Sequence, residues 1–132
     1  MKSIKVRPAD EKDLRSLVIL AEEFMPGEAD NGKRINVLKQ ALRNSNYELL
    51  VAELEGEVVG FIDQWVIHDF THGAKLSYIH ILYVSSEHRR KGVASKLLQE
   101  AMKMQETREF QRSTSQLDST TSQLSTCTES TV

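Results

Sequence analysis

The sequence predicts an α/β domain in which helices flank a mixed, mostly antiparallel sheet. Three observations carry this reading. Apolar patterning runs in the order strand, helix, helix, strand, strand, strand, helix. The turn signals Glu55-Gly56 and His72-Gly73 separate consecutive apolar runs, which favours antiparallel neighbours. The run Leu76–Val84 is almost wholly apolar, the pattern of a central strand covered on both faces.

Taken in order, Ile4-Lys5-Val6 reads as a short strand stopped by Pro8. Asp10 is placed to cap a helix, with Asp13 three residues on as a short-armed capping box. Leu14, Leu17, Val18, Ala21 and Phe24 then recur at helical spacing, and Pro26-Gly27 ends the helix. Beyond Asn31-Gly32 a second amphipathic stretch carries Ile35, Leu38, Ala41 and Leu42. Leu49–Glu53, Val58–Ile67 and Leu76–Val84 are the next three strands. Gly92–Met104 is a helix with Val93, Leu97, Leu98 and Ala101 on one side. Trp65 and Tyr78 read as core residues.

The chain has 132 residues, enough for one compact domain. A net charge of -2 argues against nucleic acid or an anionic membrane as the main partner. Cys127 is the one cysteine, so no internal disulfide forms, which fits a reducing, cytoplasmic setting. No apolar run approaches the length of a membrane span, and the first residues lack the apolar core of a signal peptide. After Met104 the composition breaks. Residues 105–132 hold 13 Ser or Thr out of 28, against 8 in residues 1–104. Phe110, Leu117, Leu124, Cys127 and Val132 in this stretch show neither strand nor helix periodicity. Such a segment buries too little apolar surface to offset its ordering entropy. The expected organisation is therefore a domain over 1–104 and a non-native or disordered tail over 105–132.

The chemistry centres on Tyr78-Ile79-His80-Ile81-Leu82-Tyr83-Val84 and the Arg89-Arg90-Lys91-Gly92-Val93-Ala94 that follows. The second element fits [QR]-x-x-G-x-[GA] between a strand and a helix. A helix start leaves amide N–H groups without partners and lies at the positive end of the helix dipole. Gly92 and Ala94 keep bulk away, so a phosphate can approach the backbone. Arg89, Arg90 and Lys91 add positive charge. The plainer reading is a helix N-terminus with solvated basic residues, and the position after a buried strand weighs against it.

With these residues in view, the chain resembles the GNAT superfamily, which moves an acetyl group from acetyl-CoA to an amine. The resemblance covers residues 4–104. It starts with Ile4–Ala9 and Asp13-Leu14, continues through Leu50-Val51-Ala52-Glu53 and Val59-Gly60-Phe61-Ile62, and ends with Ile81–Val84 through Leu97-Leu98. It implies a GNAT-like sheet, acetyl-CoA as co-substrate, and a small-molecule or peptide amine as acceptor. It also implies that the backbone of Leu82, Tyr83 and Val84 pairs with the pantetheine arm. The amides of Arg89, Arg90, Lys91, Gly92, Val93, Ala94 and Ser95 would then hold the pyrophosphate. His80 stands on the strand where relatives with a strand base often carry Glu, and an imidazole can take a proton from an ammonium substrate. The alternative for His80 is a hydrogen-bonded structural histidine. Tyr83 either packs or faces a substrate cleft. His68, Asp69 and His72 flank a hairpin loop, either in contact with substrate or solvated, with no repeated ligand spacing that would mark a metal site.

The resemblance also implies a further strand and helix, often ending in N-x-x-A-x-x-L-Y-x-K-x-G-F, whose tyrosine commonly protonates the departing thiolate. Residues 105–132 do not match it. Back-translated from Arg108 and read from the third base of each codon, the tail permits R-I-P-A-I-H-L-S-V-G-F-N-N-Q-P-A-I-H-L-Y-R-K-H-G. Cys127 followed by Thr128 restricts the tyrosine position to Tyr or His. A frameshift near Met104–Glu106 accounts for the composition; a genuine disordered tail is the alternative. The final strand and helix would then be missing and turnover impaired. Two other functions stay open. One is a non-catalytic CoA-binding module. The other is an interaction protein, whose terminal Ser130-Thr131-Val132 fits a C-terminal [ST]-x-V ligand. The acceptor amine is not legible, and a homodimer is compatible with the reading.

Overall fold

The computed structural model describes residues 3–111. Most of the Ser/Thr-rich stretch, with Cys127 and Ser130-Thr131-Val132, lies outside the described residues. Four strands, β1 (Ile4–Pro8), β2 (Tyr47–Leu54), β3 (Glu57–Asp69) and β4 (Ala74–Val84), form one antiparallel sheet in the order β1-β2-β3-β4. Helices α1 (Leu14–Phe24) and α2 (Asn31–Leu42) separate β1 from β2, and α3 (Val93–Gln111) follows β4.

Local chemistry explains the element starts. Asp10 accepts from the Lys12 N–H, and Asp13 accepts from the Asp10 N–H at 2.9 Å, so the capping box forms ahead of α1 on a short 3₁₀ turn over Glu11–Asp13. Asp30 caps α2 through the Lys33 N–H. The β2–β3 connection is tight because Glu55 (φ 54°) and Gly56 (φ 81°) both take the left-handed conformation.

The sheet separates two apolar layers. On one face, α3 sets Val93, Leu97 and Ala101 against Leu50, Ala52, Val59, Ile62, Ile79 and Val84. Each large buried side chain here is worth about 1.5–3 kcal/mol in area removed from water. Gly60 lets this layer close: a Cβ there would stand 2.9 Å from the Tyr83 carbonyl oxygen and 3.4 Å from Leu97 Cδ1. On the other face, Leu17 and Leu20 of α1 meet Leu49, Val51, Phe61 and Tyr83, with Leu38 and Leu42 of α2 at the margin.

Three expectations change. β4 is the edge strand among the described residues, because no strand lies beyond it, so its apolar run marks a strand covered on both faces, by α3 and by α1, but not a central one. Tyr78 is 40% exposed and not a core residue, since its side chain leaves the sheet on the open stretch of β4. And α3 continues past Met104 to Gln111, through a run free of Gly and Pro, with Gln105 buried and donating to Gln64 Oε1 at 2.6 Å.

An ionic lock ties the N-terminal strand down. Arg7 grips Asp13 with two hydrogen bonds of 2.8 Å and donates Nε to Glu53 at 2.5 Å. The Arg7 guanidinium holds the Asp13 carboxyl below the usual carboxylate range. A folded-state value below the unfolded one gives stability that is present above the unfolded value and lost as pH falls through the folded one. Melting temperature should therefore drop on acidification below the ordinary aspartate range. Asp13→Asn should flatten that dependence in thermal melts across the acid range, and an unchanged slope would assign the acid sensitivity to other groups.

Candidate functional site

β4 delivers the chain to a shaped loop at the start of α3. Ser85 N–H donates to Val59 O at 2.8 Å, so Tyr83 and Ser85 turn their main-chain groups toward β3. By strand alternation, Leu82 and Val84 turn theirs to the open edge. Glu23 of α1 then accepts from the Ser86 N–H at 2.9 Å. Arg89 donates Nε to Val84 O at 3.1 Å and lies over the Tyr83 ring, 5.3 Å from its centroid. Arg90 (φ 66°) and Gly92 (φ 83°) both take left-handed backbone, which turns the chain sharply into the helix. The first α3 bond runs from Lys96 N–H to Gly92 O, so the amides of Val93, Ala94 and Ser95 precede the helical ladder. A cleft of about 250 Å³ opens here, lined by Val84, His88, Arg89, Arg90 and Gly92–Ser95. Apart from its two chain neighbours, no atom of the described residues lies within 4 Å of where a Gly92 Cβ would stand. Arg90 and Lys91 are exposed.

On the α1/α2 face a second cleft, of about 370 Å³, lies between α2 and the sheet. Its floor holds Tyr47, Asp63, Trp65 and His80. Asp63 is 6% exposed and accepts from Tyr47 Oη at 2.6 Å and the Ile81 N–H at 2.8 Å. His80 Nδ1 lies 3.7 Å from Asp63 Oδ1, with the imidazole half-exposed. Burial pushes the Asp63 carboxyl up, against the lowering effect of the Tyr47 hydroxyl and of His80. Burial also pushes the Tyr47 phenol up, so it stays protonated and donates. The register explains the meeting of His80 and Asp63. Asp63 pairs with Ile81 and Gln64 with Ile79, which leaves His80 as the extra residue of a bulge in β4. Bulges re-aim a side chain at just such positions.

The structure thus divides the sequence-picked residues. Leu82, Val84 and Arg89–Ser95 gather at the α3 loop, and His80 lies in the other cleft. Tyr83 is buried between Phe24 and Phe61, a packing residue on the face opposite α3. Arg89 is spent on shaping the loop. His72 and Thr71 bond to Asp69 in a self-contained hairpin tip. Among the described residues no group of three His, Cys, Asp or Glu is placed to hold a metal. Also among them, no helix is long and apolar enough to cross a membrane. Sequence reading passed over three residues. Asp63 and Tyr47 come together only through strand pairing, and the available signal was a lone Asp in the apolar run Val58–Ile67. His88, between the α3 cleft and α1, buries Nδ1 with no hydrogen-bond partner among the described residues.

Comparisons with known proteins bear on this geometry. The chain matches the Acetyltransferase (GNAT) family over residues 14–123. An uncharacterized N-acetyltransferase of Archaeoglobus fulgidus is 32% identical over 107 residues, spanning 75% of this chain and 71% of that protein. A solved aminoglycoside N-acetyltransferase in complex with CoA has a TM-score of 0.72 at 18% identity, over 82% of this chain and 72% of its own. A ribosomal-protein-alanine N-acetyltransferase from Brucella melitensis gives 0.69 at 20% identity, over 81% and 74%. At those identities the two structures speak for the fold. The family match covers most of the chain and carries the strand, loop and helix just described, so the chain belongs to the GNAT family of N-acetyltransferases.

Proposed function

We propose that this domain transfers the acetyl group of acetyl-CoA to a primary amine, with the pyrophosphate at Arg89–Ser95, the pantetheine arm along Leu82–Val84, and His80 as the proton acceptor. The observation that carries this is the start of α3. Two left-handed residues, open space at Gly92 and amides ahead of the helical ladder make an anion-sized cradle. Arg90 and Lys91 supply the exposed charge. The open-edge groups of Leu82 and the Val84 N–H suit an extended amide-bearing arm, which pairs as a strand would, while Arg89 holds the Val84 carbonyl. Acetyl-CoA supplies the thioester whose C–S bond breaks as the amine forms its C–N bond. The protein's part is to hold it, orient the amine and remove a proton. His80, re-aimed by the bulge, stands at the cleft floor for that proton.

The same reading includes the tail. Residues 105–132 are proposed to be out of frame from near Met104–Glu106, so that the family's last strand and its tyrosine are not encoded in this chain. CoA binding then outlasts turnover, since its contacts precede Met104.

Gly92→Val should weaken CoA binding roughly tenfold or more by calorimetry, because a β-branched residue at φ 83° strains the cradle and fills its open space. Lys91→Ala should cost less, and its effect should shrink at high salt. An unchanged affinity in Gly92→Val would put the phosphates elsewhere.

Restoring the alternative frame near Met104 should raise the melting temperature and the rate of thiol release from acetyl-CoA with amines. Equal stability and equal rate would show that the tail is native.

In the restored protein, His80→Gln should lower turnover by about 10²-fold or more and flatten the acidic limb of the rate profile, while CoA affinity holds. An unaltered profile would transfer the proton to water or to another residue.

A further inference from the structure

Resting on that transferase reading, we propose that the acceptor is a primary amine carried on an apolar, ring-sized body. It binds between α2 and the sheet, with its ammonium at Asp63 and its body against Trp65 and Val37. The cleft's volume of about 370 Å³ falls in the range of small-molecule sites. Its walls are apolar: Ala29, Val37, Leu38 and Ala41 from one side, Tyr47 and Trp65 from the other. Val37 is 66% exposed, a large apolar side chain held toward open space on a helix with no fully buried residue. Tyr47 and Trp65 pack at 4.6 Å between centroids and present a tilted aromatic wall to a flat body.

The polar groups select one charge. Asp63 has two protein donors, Tyr47 and the Ile81 amide, which leaves carboxylate lone pairs for a further donor. A buried carboxylate gains most from a cation that arrives with its own hydrogen bonds. His80 Nδ1, 3.7 Å from the same carboxylate, then lies beside the bound nitrogen. Among the described residues no second carboxylate lines the cleft. Its other ionic residues are Lys33, with no ion pair among the described residues, and Arg34, whose charge is taken by Glu22. A polycation such as sisomicin, with which one fold relative was solved, would meet one carboxylate and the uncompensated charge of Lys33. A monoamine with an apolar body meets a matching site.

Trp65 is the only tryptophan of the chain, so binding can be read directly from its fluorescence. Titrating the full chain with 2-phenylethylamine should give a saturable change. 2-Phenylethanol, spermine and kanamycin should bind at least tenfold more weakly. Asp63→Asn should cost tenfold or more in 2-phenylethylamine affinity. Val37→Lys, on an exposed helix position that does not endanger folding, should do the same by adding a cation. CoA affinity, measured by calorimetry on the same samples, separates the two readings. A normal CoA affinity with no response to 2-phenylethylamine, or with kanamycin or spermine binding tighter, overturns the acceptor class alone. Loss of CoA binding with the amine response intact overturns the cofactor reading and leaves the cleft assignment standing. An unchanged amine affinity in both variants removes Asp63 and Val37 from the site and sinks the proposal.

Discussion

The antiparallel pairing of β3 with β4 runs from Gly60 opposite Val84 to Asp69 opposite Ala74, and both clefts take their positions from it. At one end, Gly60 allows the Tyr83 carbonyl and Leu97 to close in, which seats α3 and presents its first amides beside Val84. In the middle, one extra residue in β4 breaks the alternation. Without the bulge, a strict two-residue period would hold His80 and Ile81 to opposite faces. With it, Ile81 packs in the α1/α2 layer while His80 still reaches Asp63. The irregularity therefore lets one strand serve a packed layer and a polar site on the same face.

That arrangement places an energetic burden on Asp63. A carboxylate with little exposure is unfavourable when ionised unless its lone pairs are filled. Tyr47 and the Ile81 amide fill part of that need, and burial still holds the group above its ordinary range. A raised folded-state value means that ionisation costs stability as pH rises through it, the reverse of Asp13 under Arg7. The two aspartates thus work against each other in pH dependence: one is a lock satisfied by its own arginine, the other a charge kept short of a cation. A site that costs the empty fold something is the kind that gains from a ligand.

The pattern of what the sequence disclosed follows from the range of each interaction. Capping by Asp10 and Asp13, the helical repeats of α1 and α2 and the Glu55-Gly56 turn are local, and they lie where the residues suggested. The [QR]-x-x-G-x-[GA] segment was legible for the same reason, since its left-handed glycine and the helix start are separated by one bond. Asp63 and Tyr47 are sixteen residues apart and meet only across β2 and β3, so no spacing rule links them. The bulge at His80 is invisible to period counting, because it depends on which partner residue each strand residue faces. The apolar run of β4 misled for a related reason. Ile79 and Val84 are buried by α3 and Tyr83 by α1 and α2, so a strand can be apolar on both faces and still have an open edge.

That open edge connects the fold to the chemistry. An edge strand with unpaired main-chain groups invites another strand, and proteins ordinarily blunt it. Near its site end β4 is blunted only in part: Arg89 caps the Val84 carbonyl, while the main chain of Leu82 turns outward. An extended ligand arm with amide groups satisfies the same donors and acceptors that a strand would, without a hydrophobic face of its own. A family strand arriving from beyond α3 would compete for this edge unless it diverged from β4 near Leu82. If acetyl-CoA lies along the Val84 half of β4 as proposed, a strand added to this edge would pair along the Ala74 half and leave the Val84 half free.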